Sequence, residues 1–120
     1  MLDDIFVPLL ETVPLIDTSD TTTVIMLPNN RQVDITDPTD DHILYLPPVA
    51  SCVGNVYSIY MTANSNAKTV TVTVNTEDNP TELIVDSSWK VSSIALDTAY
   101  HYLLLYSTGD YWVLANGVYT

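Results

Sequence analysis

The chain has 120 residues and a formal net charge of −12, with 15 Asp or Glu residues against 3 Lys or Arg residues. A chain of this length forms one domain, and its 47% of hydrophobic residues can supply a core. Because so acidic a surface repels phosphate groups, we expect no nucleic-acid partner and no membrane partner. The single cysteine, Cys52, permits neither an intramolecular disulfide nor a zinc-binding cysteine cluster.

Residues 1–20 differ in composition from the rest of the chain, because they are rich in apolar side chains and are interrupted by Pro8 and Pro14. Proline lacks an amide donor and disfavours helix at the preceding residue, and no regular apolar periodicity is sustained here. We therefore expect residues 1–20 to form an extended N-terminal arm and residues 21–120 to form the folded domain.

An apolar arm needs a covering surface, since exposed apolar patches on soluble proteins mark interaction sites. We predict that the arm docks on a partner through Ile5, Phe6, Val7, Leu9 and Leu10. Two alternatives stay open: the arm adds a strand to the domain's own sheet, or it is exchanged between subunits.

Short strands follow the arm, separated by turns rich in Pro, Gly, Asn and Asp. The predicted strands are Val24–Leu27, Gln32–Thr36, His42–Leu46, Val56–Thr62, Thr69–Val74, Glu82–Val85, Ile94–Leu96, Tyr100–Tyr106 and Tyr111–Ala115. The last two, with their glycine-containing connection, form the clearest hairpin. No window has the apolar periodicity of a three-turn amphipathic helix. The pattern predicts an all-β fold, a small antiparallel β-sandwich with a jelly-roll-like order.

Two of these strands carry apolar residues on both faces, whereas a strand with one solvated face should be polar on that side. One face of each strand belongs to the domain core, and the other needs a second dry partner. That partner is either a sandwich sheet covered by the arm or a sister subunit, and we favour the subunit. The predicted subunit interface consists of Tyr57, Ile59, Leu103 and Leu105.

Four clustered acidic residues, Asp34, Asp37, Asp40 and Asp41, offer oxygen ligands of the kind that Ca²⁺ binds. The cluster lacks the spacing and the glycine of an EF-hand loop, so a solvated acidic loop is the simpler interpretation.

Neither histidine is accompanied by a nucleophile motif, although His42 and His101 both have acidic neighbours. His101 follows Asp97 by four residues, a spacing that keeps two side chains far apart in an extended strand. Cys52 has no basic neighbour that would activate its thiol. We therefore assign no catalytic residue, no cofactor and no metal site, and expect no enzymatic activity.

The aromatic residues include Trp89, Trp112 and eight tyrosines, which suit either protein interfaces or stacking on sugar rings. Trp112 lies in the terminal hairpin and is expected in the core. Trp89 lies in a polar stretch and is expected to be partly exposed.

Several segments in a fixed order resemble a small β-domain of tailed bacteriophages, which recurs in head-decoration (cement) proteins, head fibres and tail fibres. The segments are Leu46–Ala50, Gly54–Tyr60, Lys68–Val72 and Tyr102–Leu114. They follow the succession leucine-proline-proline, glycine-x-x-tyrosine, valine-threonine-valine and serine-x-glycine-x-x-tryptophan, and cover most of the chain from Ile43 to Leu114. The acidic loop Asp34–Asp41 and the lack of a glycine near Val85 depart from the pattern.

The resemblance implies a homotrimer of β-sandwich subunits on the outer surface of a virion, with the major capsid protein as partner. A short chain with its own arm is more similar to the decoration class, whose members bind the outside of the capsid and stabilise the head. The alternative is a tail-fibre or head-fibre domain that binds a host surface glycan. A cellular carbohydrate-binding module also has a suitable fold, but gives no reason for the arm.

Overall fold

The computed structural model describes residues 12–16, 23–78, 83–86 and 88–120. The strands in these ranges are β1 (Thr12–Ile16), β2 (Thr23–Ile25), β3 (Gln32–Thr36), β4 (His42–Tyr45), β5 (Val56–Ala63), β6 (Val70–Thr73), β7 (Leu83–Asp86), β8 (Trp89–Val91), β9 (Ser93–Leu96), β10 (Tyr102–Ser107) and β11 (Trp112–Val118). A 3₁₀ turn, Val49–Ser51, follows β4 and the Pro47–Pro48 stop. Within these ranges, no helix has the length and apolar character needed to cross a membrane.

The strands form two sheets that enclose one core. The seven-stranded sheet has the order β1-β3-β5-β10-β11-β7-β8, and the four-stranded sheet has the order β2-β4-β6-β9. The all-β prediction is confirmed by this architecture.

From β1 to β6 the chain alternates between the two sheets, one strand at a time. The odd-numbered strands pair in parallel in one sheet, and the even-numbered strands pair in parallel in the other. A parallel neighbour needs a crossover connection, and here the crossover is the strand in the opposite sheet. The result is three stacked coils, namely β1 with β2, β3 with β4, and β5 with β6, an arrangement of the solenoid kind.

The predicted antiparallel pairing is therefore wrong for this half of the domain, and the sheets are mixed. A jelly roll is built from antiparallel strands, so the predicted jelly-roll-like order does not fit these mixed sheets. Antiparallel pairing is found in the second half, where β10 lies between β5 and β11. The predicted terminal hairpin is confirmed.

The turn of this hairpin uses a glycine for two reasons. Gly109 has a φ of +98°, in the left-handed region that side chains disfavour. A Cβ atom added there would also lie 3.0 Å from Cγ2 of Val53. The turn is thus pressed against the segment that precedes β5.

The core is built from alternate residues of the strands of both sheets, as the two-residue period of a strand requires. Its fully buried members include Val33, Ile35, Leu44, Tyr57, Ile59, Met61, Val70, Val72, Leu96, Leu103, Leu105 and Trp112. Trp112 is confirmed as a core residue, and Trp89 is exposed as expected.

The acidic loop after β3 stacks on the corresponding loop of the next coil. Asp37 Oδ1 accepts the Ser65 amide at 2.7 Å, and Asp41 Oδ1 accepts the Thr69 amide at 2.9 Å. Two of the four clustered carboxylates are thus acceptors for backbone amides of the following turn, which pins one coil to the next.

A stability prediction arises in that following turn, where Ala67 has a φ of +54° and an exposed side chain. Replacing Ala67 with glycine relieves the left-handed strain and should stabilise the domain by about 0.5–1 kcal/mol. Urea denaturation measures this. The control is Ala95→Gly in β9, where the backbone φ is not positive. This substitution should lower the stability by about the amount that Ala67→Gly raises it. Destabilisation by Ala67→Gly would contradict the prediction.

Candidate association surface

The four residues predicted for the subunit interface lie inside the domain's own core. Tyr57, Ile59, Leu103 and Leu105 each have 0% of their surface exposed. A side chain with no exposed surface in one subunit cannot contact another without unfolding, so this assignment is wrong. Both faces of β5 and β10 are apolar in the sequence, and alternation alone cannot say which face points inward.

The opposite face of the same strands is directed outward from the seven-stranded sheet. It carries Val56, Tyr60, Tyr102, Leu104, Tyr106 and Val113, here called the outer patch. Cross-strand pairing holds these side chains in rows, with Tyr106 between Val56 and Val113, and Tyr102 beside Tyr60. Val56 is 45% exposed, and the other five are half-buried. Leu104 is flanked across the strands by Ser58 and Asn116, so uncharged polar side chains lie among the apolar ones on this face.

The outer patch lies on strands without any charged residue. None of the residues of β5, β10 and β11 is Asp, Glu, Lys or Arg, although the chain as a whole carries a net charge of −12. These three strands are adjacent at the centre of the sheet. Charge is therefore excluded from the middle of this face, which is the composition found at the core of protein interfaces.

Polar residues border the patch on the side of β3. Gln32 and Asp34 are the outward residues of β3 beside β5, and Gln32 Nε2 lies 3.4 Å from Asp34 Oδ1. An apolar centre with a polar rim is the usual anatomy of a specific interface.

Beneath the patch, Tyr57 fixes β5 to the turn before β3. Its buried hydroxyl donates a hydrogen bond to the Pro28 carbonyl, and burial raises the pKa of Tyr57 to about 12. The Arg31 guanidinium lies 5.5 Å from the ring centroid of Tyr57, and Arg31 Nε donates to the Val56 carbonyl at 2.9 Å. These contacts connect the strand under the patch to the turn before β3.

The predicted docking residues of the arm, Ile5, Phe6, Val7, Leu9 and Leu10, lie outside the described residues. Within residues 1–20, only β1 is described, and it forms the end of the seven-stranded sheet beside β3. Part of the arm segment therefore belongs to the domain's own sheet.

The predicted separation of Asp97 and His101 is wrong, because these residues lie in a turn and not in a strand. His101 Nδ1 is 3.6 Å from Asp97 Oδ1, which is too long for a hydrogen bond. The Asp97 carboxylate instead accepts hydrogen bonds from the hydroxyls of Thr120 at 2.5 Å and Thr98 at 2.9 Å. Asp97 thereby ties the segment after β11 to the turn before β10.

This tie predicts a pH dependence. The hydrogen bonds from Thr120, and then Thr98, hold the pKa of Asp97 below its usual value. A lowered pKa in the folded state stabilises the fold above the unfolded pKa of about 3.9, and this contribution is lost as the pH falls through the folded pKa. Thr120→Val should therefore destabilise the domain at pH 7 by less than about 1 kcal/mol, and by a smaller amount below pH ~3. Urea denaturation at both pH values measures the difference, and an equal loss at both would contradict it.

His42 is buried, and its ring does not face solvent. Its Nδ1 lies 2.7 Å from the Asp40 carbonyl, and its Nε2 has neither exposed surface nor a hydrogen-bond partner among the described residues. A groove of about 300 Å³ lies beside Asp41, Ile43 and Thr71. In the part of the chain that is described, no three His, Cys, Asp or Glu residues lie close enough together to hold a metal ion.

Trp89 borders a small cavity of about 80 Å³ between the ends of the two sheets. The cavity is also lined by Val85, Val91, Ile94 and Tyr119. Pockets for small ligands are commonly about 300–1,000 Å³, so this cavity would accept a single apolar group, not a whole sugar ring. Any glycan at this place would have to stack on the exposed face of Trp89.

Comparisons with protein-family models, with curated proteins and with solved structures gave no match for this chain.

Proposed function

We propose that this protein is a structural subunit that assembles into a homotrimer through the outer patch, and that the trimer decorates the outer surface of a phage capsid. The observation that carries the assembly part is the uncharged and largely apolar outer face of β5, β10 and β11 in a chain of net charge −12. The trimer and the capsid are supported by the resemblance of segments such as Gly54–Tyr60 and Tyr102–Leu114 to phage decoration domains.

The proposed mechanism is mechanical. Many copies bind the assembled shell and not the dissociated capsid protein, which stabilises the shell by mass action. Acidic residues stay on the solvent side, and the outer patch is buried between subunits. Capsid contact by the arm residues Ile5 to Leu10 stays a prediction within this proposal.

The assembly part predicts that added salt strengthens the association of the subunits. Each subunit carries a net charge of −12, so subunits repel one another, whereas the outer patch has no charge to be screened. Raising the ionic strength from about 0.02 M to about 0.5 M shortens the Debye length several-fold and should tighten the trimer. Light scattering after size-exclusion chromatography measures the molar mass in both buffers. A monomer at micromolar concentration in both would refute the assembly.

The capsid part is tested separately by sedimentation with capsids. The trimer should sediment together with emptied capsids of a tailed phage that lacks its decoration protein. Capsids with bound trimer should also withstand a higher temperature than capsids without it. If intact trimers do not sediment with the capsids, the capsid is rejected as the partner. The proposed assembly of the subunits is unaffected by that result.

A second candidate function, glycan binding by a fibre domain, is favoured by one observation, the 51% exposure of Trp89. A glycan array decides this point. Binding that is lost in Trp89→Ala, but retained in Tyr111→Ala, another exposed aromatic variant, would support the fibre alternative.

A further inference from the structure

Arginine and lysine are rare in this chain, which has 3 of them against 15 Asp or Glu residues. Arg31 lies in the turn before β3 and is half-buried. With so many carboxylates available, an ion pair within the chain would be expected for Arg31. Among the described residues, however, no carboxylate lies within ion-pair distance of its guanidinium. The positive charge of Arg31 therefore has no counter-charge in the part of the chain that the structure describes.

Arg31 is held in place by its backbone and by one side-chain nitrogen. Its amide donates to the Asn29 carbonyl at 3.0 Å, and its carbonyl accepts the Ser58 amide at 3.0 Å. Its Nε donates to the Val56 carbonyl at 2.9 Å, and the guanidinium lies 5.5 Å from the ring centroid of Tyr57. A guanidinium also carries N–H donors on its terminal nitrogens, in a planar fork. The contacts of Arg31 fix the direction of this fork without using it.

A groove of about 240 Å³ lies beside the guanidinium, and Pro28, Asn29 and Asn55 form its other described walls. None of these lining residues is acidic, and asparagine side chains offer amide donors. Asn55 Nδ2 lies 3.4 Å from the Tyr57 hydroxyl, which donates to the Pro28 carbonyl, so hydrogen bonds join opposite walls of the groove. Pockets for drug-sized ligands are commonly about 300–1,000 Å³, so this groove fits a smaller group.

The turn that carries the groove closes on itself. The Asn30 amide donates to the Leu27 carbonyl at 2.9 Å, and the Leu27 amide donates to Asn30 Oδ1 at 2.7 Å. Asn30 is only 7% exposed. A ligand would therefore meet a groove whose backbone is already ordered, which lowers the entropy cost of binding.

We propose that this groove binds a carboxylate group through the terminal nitrogens of Arg31. The planar fork of a guanidinium matches the two oxygens of a carboxylate, and such pairs are commonly bidentate. Asn55 lines the same groove and has a second amide N–H besides the one directed at Tyr57. A carboxylate suits the groove better than a phosphate, because the net charge of −12 repels a dianion more strongly than a single negative charge.

The carboxylate can come from two sources, a small free acid or an Asp or Glu side chain of a second copy. Each copy carries 15 such side chains. Val56, whose carbonyl holds Arg31 Nε, belongs to the outer patch, so a second copy docked there would lie beside the groove. The chemistry of the groove is the same for both sources, and it requires neither the trimer nor the capsid.

Nuclear magnetic resonance of the full-length protein near neutral pH tests the proposal. The probe is sodium acetate, exchanged for sodium chloride at a constant ionic strength of about 0.1 M. The Arg31 Nε–H and Asn55 side-chain amide signals should shift, and should reach half of their full change at about 10 mM acetate or less. Sodium phosphate at the same ionic strength should shift them less. An equal or larger shift by phosphate at equal concentration would overturn the assignment to a carboxylate.

Arg31→Gln and Lys68→Gln form a matched pair of variants, because each removes one positive charge. Lys68 lies in the loop after β5, whereas Arg31 contacts the beginning of this strand. The Asn55 signal should lose its response to acetate in Arg31→Gln and keep it in Lys68→Gln. Arg31→Lys keeps the charge but not the fork, and should need at least about tenfold more acetate. It gives the same comparison if Arg31→Gln does not fold. An equal response in all four proteins would overturn the proposal.

Protein concentration separates the two sources. With a free acid as the ligand, the Arg31 signal of the acetate-free protein should stay unchanged between about 50 µM and about 1 mM. With a second copy as the source, that signal should move toward its acetate-bound position as the concentration rises. Arg31→Gln should then raise the dissociation constant of the copies at least about tenfold relative to Lys68→Gln.

The same measurements distinguish this proposal from the proposed assembly. A protein that binds acetate at Arg31 but stays monomeric at every concentration would refute the trimer and support the groove. If neither acetate nor concentration moves the Arg31 signal, and the two glutamine variants associate equally, the groove binds no carboxylate and the proposal is overturned.

Discussion

Replacing Leu104 with aspartate is expected to convert the proposed trimer into a monomer without unfolding the subunit. Leu104 lies at the centre of the outer patch, on β10 between β5 and β11. A carboxylate buried there on association would have no cationic partner in the patch, since the three strands carry no charge. Central apolar anchors of interfaces typically contribute about 2 kcal/mol or more, so the dissociation constant should rise by about 30-fold or more.

The control for this prediction is Ile43→Asp. Ile43 is 41% exposed on the outer face of the four-stranded sheet, so the substitution adds the same charge to an exposed apolar site on the other sheet. Both variants should keep stabilities within about 1 kcal/mol of the unmodified chain, measured by urea denaturation. Analytical ultracentrifugation gives the association state. If Ile43→Asp dissociates the trimer and Leu104→Asp does not, the association surface is on the other sheet.

Replacing Trp112 with alanine should have the largest effect on stability. Trp112 is fully buried, and its ring meets Tyr57 edge to face with centroids 5.4 Å apart. Removing a buried tryptophan side chain costs about 3–5 kcal/mol, a large part of the 5–15 kcal/mol that holds a typical domain folded. Chemical denaturation followed by far-ultraviolet circular dichroism measures the loss. A loss below about 1 kcal/mol would mean that the Tyr57–Trp112 contact is not central to the core.

Trp112→Phe separates the aromatic contact from the indole nitrogen. The buried Nε1 of Trp112 has no hydrogen-bond partner among the described residues, so losing its N–H removes a desolvation cost. Phenylalanine keeps an aromatic ring near Tyr57 but leaves a smaller cavity, and we expect a loss of about 1–2 kcal/mol. The free energy of unfolding should be lowest for Trp112→Ala, intermediate for Trp112→Phe and highest for the unmodified chain.

Strand positions were predictable from the sequence because alternation and turn residues are local signals. The hairpin β10–β11 and the buried Trp112 followed from Gly109 and the flanking apolar runs. β8 was missed, since Trp89–Val91 has no sustained alternation and pairs for only three residues. Short strands of this kind are defined by their partner and not by their own composition.

Two features were not predictable from the sequence: the parallel or antiparallel direction of strand pairing, and the face of each strand that points to the core. The parallel coils arise because each strand crosses to the opposite sheet, and turn residues do not encode which sheet the chain enters next. The inward face of β10 was ambiguous because both Leu103 and Leu104 are leucines at adjacent positions. Their opposite environments are set by the neighbours β5 and β11, which are distant in sequence.

The position of β10 between a local and a distant partner also has a kinetic consequence for folding. Its pairing with β11 closes a short turn, as in Ser107 with Trp112, whereas its pairing with β5 joins Tyr60 to Tyr102. Closing the longer loop costs more chain entropy, and a hairpin forms in about 1–10 µs. We therefore expect the hairpin to form early and the β5–β10 ladder to form late, so the complete outer patch should exist only after pairing between the two halves of the domain.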